Sequence, residues 1–145
     1  MDYKNLTAPC GRDCFNCPFF IAKENEAFRG SLAKKINSKP ENVICGGCRN
    51  IDGKCRVLEN YGFKGNCRIY KCVKDKNLVF CFDCDEFPCR KLQPLGDRAD
   101  KFPHNLKVYN LCLIQKLGVE EWGKNRSKAD FNYYFSGKLD DIFIE

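Results

Sequence analysis

The chain has 145 residues, is 43% hydrophobic and carries a formal net charge of +6. This length supports one domain with a modest core, and the absence of a long apolar run excludes a membrane-spanning helix. The first residues include Asp2 and lack the apolar stretch of a secretory signal, so the sequence predicts a cytoplasmic protein. We expect a single domain over 1–145, with a cysteine-rich part over 8–95 and a helical part over 96–145.

The cysteine-rich part is predicted to hold one longer helix followed by loops and short helices. Pro18 suits the first turn of a helix, and apolar residues then recur at helical intervals, which predicts a helix over 18–36. The glycines within 49–66 indicate loops around at most a short regular piece. Residues 73–77 favour one or two helical turns, and a short helix is expected at 90–92.

The C-terminal part is predicted to consist of helices and a closing hairpin. Apolar residues on one face predict a helix over 104–117 that ends at Gly118. The residues of this face are Leu106, Tyr109, Leu113 and Leu117. A second helix over 119–130 is expected to bury Trp122, and residues 131–144 are expected to form a small hairpin. These elements together predict a small α+β fold.

Eleven of the twelve cysteines lie in the first ninety residues, most of them in clusters with short gaps. A two-residue gap lets two thiolates reach one tetrahedral ion, and two such pairs complete a four-cysteine zinc site. A reducing compartment favours metal binding over disulfides for cysteines with this spacing. In Cys45-Gly46-Gly47-Cys48 the glycines allow positive φ angles that point N–H groups at sulfur, as in a zinc knuckle. The ten candidate metal ligands are Cys10, Cys14, Cys17, Cys45, Cys48, Cys67, Cys72, Cys81, Cys84 and Cys89.

Two further cysteines stand apart from this set. Cys55 is open between a metal ligand, a free surface thiol and a buried apolar residue. Cys112 lies on the apolar face of the predicted helix over 104–117, so we expect a small buried residue there and not a ligand.

The cysteine motifs follow one another in a distinctive order. They are Cys10-Gly11-Arg12-Asp13-Cys14-Phe15-Asn16-Cys17-Pro18, Cys45-Gly46-Gly47-Cys48, Cys67-Arg68-Ile69-Tyr70-Lys71-Cys72 and Cys81-Phe82-Asp83-Cys84-Asp85-Glu86-Phe87-Pro88-Cys89. In this order they resemble a prokaryotic cysteine-rich family, domain of unknown function 3795, over about residues 8–125. Cys55 is an extra cysteine in this comparison, and the tail 131–145 lies outside it. The resemblance implies zinc binding and no established activity.

Ten cysteines do not divide evenly into four-thiolate shells. A knuckle plus a second close pair forms one closed shell, made of Cys45, Cys48, Cys67 and Cys72. A second shell would draw on Cys14, Cys17, Cys81 and Cys84, with Cys10 and Cys89 competing for those places. We therefore expect about two structural zinc ions per chain. An iron–sulfur cluster or a thiol redox centre is the alternative, because four thiolates suit iron as well.

Catalysis is not predicted from these residues. A hydrolytic zinc site needs an open coordination position, usually with histidine ligands, and a general base. The single histidine, His104, stands at a predicted helix start, where a surface or capping role is expected. Asp83, Asp85 and Glu86 are expected to form a solvated turn beside Cys84. We expect an interaction or accessory module with an unknown protein partner.

Nucleic-acid binding is the alternative function. Basic residues interleaved with aromatic residues are typical of nucleic-acid-binding surfaces. The basic residues are Arg49, Lys54, Arg56, Lys64, Arg68, Lys71, Lys74 and Lys76, and the aromatic residues are Tyr61, Phe63 and Tyr70. Eight thiolates around two Zn²⁺ ions would lower the formal charge from +6 to about +2, which weakens this hypothesis.

Overall fold

A computed structural model describes residues 1–92, 101 and 104–137 of the chain. Short helices and loops make up these residues, and none of the described helices is long and apolar enough to cross a membrane. The α-helices are α1 (Tyr3–Leu6), α2 (Pro18–Glu24), α3 (Glu26–Lys35), α4 (Arg56–Asn60), α5 (Arg68–Asp75), α6 (His104–Leu117), α7 (Val119–Asn125) and α8 (Ser127–Ser136). Short 3₁₀ helices lie at Cys14–Asn16, Pro40–Val43, Cys81–Asp83 and Arg90–Leu92.

The predicted α+β fold is wrong, because the described residues contain helices and no strand. Their β pairing is limited to an isolated bridge between Thr7 and Asp13. The first half of the predicted hairpin belongs to α8, and residues 138–144 lie outside the described residues. The rings of Phe131 and Phe135 pack 5.0 Å apart, four residues along the helix. Such i, i+4 contacts favour a helix for this aromatic run.

The predicted helix over 18–36 is two helices, α2 and α3, separated at Asn25. Pro18 occupies the first turn of α2, as predicted. Asn25 has an extended backbone, and its side-chain oxygen accepts the N–H of Phe28 at 2.9 Å. This N-cap bond satisfies an N–H group that the first turn of α3 leaves free. The apolar spacing continues across the break, so the capping residue is the sequence feature that marks it.

The middle of the chain is more helical than its glycines indicate. Helix α5 begins directly after Cys67 and is longer than the turns predicted at 73–77. Helix α4 is the short regular piece predicted within 49–66, and a 3₁₀ helix forms at the predicted Arg90–Leu92. Cys72 consequently lies on a helix, one that starts immediately beyond Cys67.

Helix α6 has the predicted bounds, but its buried face differs from the predicted one. The buried residues are Leu106, Asn110, Leu111 and Ile114. Tyr109 and Leu117 are 46% and 37% exposed. Cys112 is also exposed, so the prediction of a buried residue there is wrong. The buried face includes the polar side chain of Asn110, which donates to the carbonyl oxygen of Gly11, and the spacing of apolar residues does not reveal a buried polar residue.

The main apolar core joins the cysteine-rich part to the C-terminal helices. The ring of Phe15 packs edge-on at 5.1 Å from Tyr3 and 5.9 Å from Trp122. Trp122 has no exposed surface, which confirms its predicted burial. A second, smaller cluster of buried apolar residues includes Phe19 of α2 and Val57 of α4.

Gly11 brings the first cysteine motif against α6. Its φ is +83°, and a Cβ there would lie 2.6 Å from the carbonyl oxygen of Lys107 and 2.8 Å from Cγ of Leu111. The buried side chain of Asn110 donates from Nδ2 to the carbonyl oxygen of Gly11 at 2.9 Å. Both the positive φ and the close approach require a residue without Cβ. Glycine at this position therefore permits α6 to dock.

We expect the substitution Gly11→Ala to lower the free energy of unfolding by about 3 kcal/mol, from left-handed backbone strain together with overpacking against α6. Gly62→Ala is the matched control, because Gly62 also has a positive φ, +87°, with nothing within 4 Å of an added Cβ. The control should lose only about 1–2 kcal/mol. Urea unfolding of both variants in one buffer measures the difference, and equal losses would contradict the proposed contact.

Candidate metal centre

All twelve cysteines, each of them among the described residues, are free thiols. Eleven of them line two cavities. The four-cysteine cavity is lined by Cys72, Cys81, Cys84 and Cys89. The seven-cysteine cavity is lined by Cys10, Cys14, Cys17, Cys45, Cys48, Cys55 and Cys67. Cys112 is exposed on α6 and lines neither cavity.

The four-cysteine cavity has a volume of about 20 Å³, close to the space that one water molecule needs. Helix α5 carries Cys72, and a 3₁₀ helix begins at Cys81. The N–H of Cys81 donates to the carbonyl oxygen of Pro9 at 2.9 Å, which ties the cavity to the first cysteine motif. The N–H of Cys84 donates to the carbonyl oxygen of Cys81 at 3.2 Å. The space suits a single ion among four sulfurs.

Two lysines donate to sulfurs of the four-cysteine cavity. Lys76 Nζ lies 3.2 Å from Cys84 Sγ, and Lys91 Nζ lies 3.2 Å from Cys72 Sγ. Lys76 also contacts a carboxylate oxygen of Glu86 at 3.0 Å, and these partners raise the pKa of Lys76. Four thiolates around one Zn²⁺ carry two excess negative charges. The two ammonium groups are placed to offset that excess.

Three chain segments meet at the seven-cysteine cavity, whose volume is about 100 Å³. The first segment carries Cys10, Cys14 and Cys17, the second carries Cys45 and Cys48, and the third carries Cys67. The N–H of Cys45 donates to the carbonyl oxygen of Phe19 at 3.0 Å, which attaches the second segment to α2. The N–H of Gly53 donates to the carbonyl oxygen of Cys48 at 2.9 Å, and the N–H of Cys67 donates to that of Gly53 at 3.0 Å. Backbone hydrogen bonds therefore hold the second and third segments together.

The turn from Cys45 to Cys48 contains the positive φ angle that the predicted zinc knuckle requires. Gly47 has a φ of +88°, and its N–H bonds to the sulfur of Cys45. Burial raises the pKa of Cys45, while the hydrogen bonds from Gly47 and Arg56 oppose that rise. At Cys55, burial likewise raises the pKa of the thiol, and hydrogen bonds from backbone N–H groups of α4 oppose that rise. Such N–H donors stabilise a thiolate over a thiol.

Burial dominates the acid–base behaviour of several of these thiols. It raises the pKa of Cys14 and that of Cys81 to about 12. It also raises the pKa of Cys48, and the neighbouring thiols of Cys10 and Cys14 raise that pKa further. Without a metal, thiols in these positions remain protonated at neutral pH. A bound ion would displace their protons.

Arg12 is a charged residue of the seven-cysteine cavity, and the cysteine spacing gives no sign of its role there. Its Nη2 lies 3.9 Å from Cys17 Sγ. Burial opposes the charge of the guanidinium, but the nearby Cys17, Cys14 and Cys55 outweigh this effect and raise the pKa of Arg12. No Asp or Glu lines this cavity. A buried cation needs negative charge beside it, so Arg12 favours thiolates over neutral thiols around it.

The donors of both cavities fit a thiophilic metal. Among the side chains that commonly bind metals (His, Cys, Asp and Glu), only cysteines line the seven-cysteine cavity. The four-cysteine cavity is lined by its cysteines and by Glu86. As they stand, no three such side chains among the described residues form a group that could hold a metal ion. Ion binding would therefore require the thiols to turn toward one another across the cavities. The side chain of His104 lies outside the described residues.

The cavities group the cysteines differently from the pairing that their spacing favours. Cys72 lines the four-cysteine cavity, apart from its expected partners Cys45, Cys48 and Cys67. Cys14 and Cys17 line the seven-cysteine cavity, apart from Cys81 and Cys84. Cys55, whose role the sequence leaves open, belongs with the seven. Cys10 lines the seven-cysteine cavity and is also a neighbour of Cys81, where its charge adds to the effect of burial and raises the pKa of that thiol.

Several of the residues considered for nucleic-acid binding or catalysis are engaged within the protein. Arg49 donates from Nε to the carbonyl oxygen of Thr7 at 2.8 Å and from Nη2 to that of Val79 at 2.7 Å. Further ion pairs are Arg56–Glu59, Lys71–Asp75, Lys74–Asp52 and Lys76–Glu86. The carboxylate of Asp83 accepts the N–H of Phe80 at 2.8 Å. Arg49 and Asp83 thus bond to the backbone, and the four ion pairs lie at the surface.

The sequence profile of a family described as "Protein of unknown function (DUF3795)" matches residues 6–94. No curated protein and no solved structure matches the chain. The matched range includes every cysteine that lines either cavity, and it ends before α6. Because the match spans more than half of the chain and all eleven clustered cysteines, the chain belongs to the DUF3795 family, whose function is unknown.

Proposed function

We propose that this protein binds zinc through the thiolates of its two cysteine-lined cavities and that the metal stabilises the fold. The observation that carries this proposal is the division of eleven cysteines, distant in sequence, between two cavities with few other donors. Sulfur-only donor sets select zinc or iron–sulfur clusters over hard cations. The surroundings of the four-cysteine cavity support zinc in particular, because its volume suits one ion and two lysines offset the charge of a four-thiolate shell.

A structural role follows from the donor set. A zinc ion that carries four thiolates has no open position for water or substrate. The helices around the cavities are short, and α4 and α5 hold five and eight residues. Isolated helices of this length are unstable in water. Metal binding therefore supplies folding free energy to segments that bury little apolar surface.

We expect protein purified without added metal to be colourless and to contain about two zinc ions per chain, one for each cavity at least. A chelator strong enough to remove zinc should abolish the cooperative melting transition, because the short helices lose their common anchor. Elemental analysis, visible absorption and thermal melting measure these properties. A brown sample containing iron and sulfide would instead support an iron–sulfur centre, and an unchanged melt after zinc removal would contradict the structural role.

We expect Lys91→Met to weaken zinc binding at the four-cysteine cavity by about tenfold, because a group that supports a metal ligand typically changes affinity by 10–100-fold. The control is Lys71→Met, since Lys71 is exposed on α5 and pairs with Asp75 at 2.7 Å. Competition with a chromophoric chelator measures both affinities. Equal affinities of the two variants would show that the bond from Lys91 to Cys72 does not support the metal.

Beyond metal binding, we propose an interaction or accessory module that contacts another protein. Aromatic side chains support this role, since Tyr133 and Phe135 of α8 are 53% and 48% exposed and Phe135 packs on the rings of Phe131 and Tyr134. Aromatic side chains are enriched at protein–protein interfaces. Nucleic-acid binding has less support, because the guanidinium of Arg49 and four other candidate cations have partners within the protein.

We accordingly expect the zinc-loaded protein to show little affinity for generic RNA or DNA, and no steep dependence of that affinity on salt. Neutralising phosphates releases counterions, so binding through phosphate contacts weakens steeply as salt rises. Fluorescence anisotropy with a labelled oligonucleotide at several salt concentrations measures this. Tight binding that falls steeply with salt would favour the nucleic-acid alternative.

A further inference from the structure

The side chain of Arg49 bonds to two chain segments that lead into different cavities. Its Nε donates to the carbonyl oxygen of Thr7 at 2.8 Å, and its Nη2 donates to that of Val79 at 2.7 Å. Thr7 precedes Cys10, which lines the seven-cysteine cavity, by three residues. Val79 precedes Cys81, which lines the four-cysteine cavity, by two residues. A single guanidinium group thus joins the backbone beside one cavity to the backbone beside the other.

The segments on both sides of this link are themselves held in place. Thr7 is fully buried and forms the isolated β bridge with Asp13, which closes the turn between them. On the other side, Phe80 is buried, and its N–H donates to the carboxylate of Asp83 at 2.8 Å. The guanidinium of Arg49 lies 5.1 Å from the centre of the Phe80 ring. A cation over an aromatic face is attracted to the ring, so the ring is a third point of attachment for the same group.

The backbone of Arg49 belongs to a further cysteine-bearing segment. Arg49 directly follows Cys48, which lines the seven-cysteine cavity. The carbonyl oxygen of Cys48 accepts the N–H of Gly53, and the carbonyl oxygen of Gly53 accepts the N–H of Cys67. Cys67 immediately precedes α5, the helix that carries Cys72 in the four-cysteine cavity. The segment of Arg49 is therefore connected to both cavities through its backbone as well.

The two bonds from Arg49 suit a fixed link. Charged donors form shorter and stronger hydrogen bonds than neutral donors, and the distances of 2.8 and 2.7 Å are short for N–H donors. The guanidinium is planar and presents its donors in a rigid fork, so a movement of one carbonyl oxygen disturbs the bond to the other. A rearrangement of the Thr7 segment therefore reaches the Val79 segment through this group.

We propose that Arg49 couples the two cavities, so that their buried thiols become accessible in one common opening and not independently. Proteins open locally in cooperative units, and Arg49 makes one unit of segments that are distant in the sequence. Arg49 lines neither cavity, so it acts by positioning the segments that do. Together with the zinc binding proposed above, on which this consequence rests, an ion in one cavity also stabilises the other, because coupling between two sites is reciprocal.

The first experiment measures how fast a thiol reagent labels one buried cysteine of each cavity in the full-length protein. Cys45 and Cys81 are 7% and 8% exposed, so their labelling requires an opening of the structure. Arg49→Met should speed the labelling of both by at least about tenfold, because one hydrogen bond from a charged donor contributes about that factor. Mass spectrometry of digested samples measures each rate. An acceleration confined to one of the two cysteines, or none, would overturn the coupling.

Arg56→Met is the matched control, because Arg56 pairs with Glu59 at the surface, and it should leave both labelling rates unchanged. Arg49→Lys separates the two bonds from the positive charge and covers the case in which Arg49→Met does not fold. A lysine ammonium keeps the charge but lacks the planar fork that reaches two carbonyl oxygens. We expect faster labelling of both cysteines in this variant too. Wild-type rates in Arg49→Lys would show that charge alone suffices and would overturn the two-bond link.

Val57→Ala tests whether a disturbance passes from one cavity to the other. Val57 lines the seven-cysteine cavity and belongs to the smaller apolar cluster, whereas Cys81 belongs to the main core. Alone, this variant should speed the labelling of Cys81 as well as Cys45, and combined with Arg49→Lys it should speed that of Cys45 only. A global loss of stability would speed both in both backgrounds, and independent cavities would confine the effect to Cys45 in both. Either result would overturn the coupling.

Zinc release distinguishes this inference from the proposed function. A chelator should remove zinc from both cavities of the wild type in one phase and from those of Arg49→Lys in two phases. Two phases from the wild type would overturn the coupling and leave the zinc binding intact. A protein that binds no zinc would overturn the proposed function, while the labelling of Cys45 and Cys81 would still decide the coupling.

Discussion

Close contact between Gly11 and α6 is the constraint on which both halves of the protein depend. Gly11 stands between Cys10 and Arg12, so the backbone that carries the first cysteines is also the surface on which α6 lies. The buried amide of Asn110 bonds to the carbonyl oxygen of Gly11, and the absence of a Cβ allows the two backbones to approach. Helix α6 therefore packs on a motif that lines the seven-cysteine cavity, and Lys107 of α6 lines that cavity too, which couples the position of α6 to the thiols.

Burial of sulfur sets the second constraint. Seclusion from water raises the pKa of thiols such as Cys14 and Cys81, so these side chains carry charge only when a cation compensates them. The cations present are placed accordingly. Arg12 lies among the seven cysteines, while Lys76 and Lys91 donate to sulfurs of the other four. Each cavity thus combines thiols with fixed positive charge, an arrangement that suits an anionic metal–thiolate centre better than a neutral apolar core.

The sequence predicted many elements from local rules, and its errors have physical causes. Pro18 and Gly118 mark helix ends through their own backbone preferences, and Trp122 is buried as its size favours. The break at Asn25 was missed because a hydrogen bond to the N–H of Phe28 ends one helix and starts another without interrupting the apolar spacing. Aromatic residues of α8 resemble a strand in composition, but contacts between positions four apart make them helical. The buried face of α6 is rotated because Asn110 is a polar residue that packs inward.

What the sequence alone determined is the family and its clustered cysteines, since the cysteine motifs are local patterns that survive any arrangement of the chain in space. The turn at Cys45–Cys48 belongs here too, because Gly47 needs only its own φ to point an N–H at sulfur. Only the tertiary structure decided which cysteines face one another. Cys72 is five residues from Cys67, yet the helix that begins after Cys67 carries Cys72 to the other cavity. Spacing fixes how far apart two thiols can lie, whereas the packing of separate segments selects the neighbours of each thiol, because contacts between distant parts of the chain have no signature in local spacing.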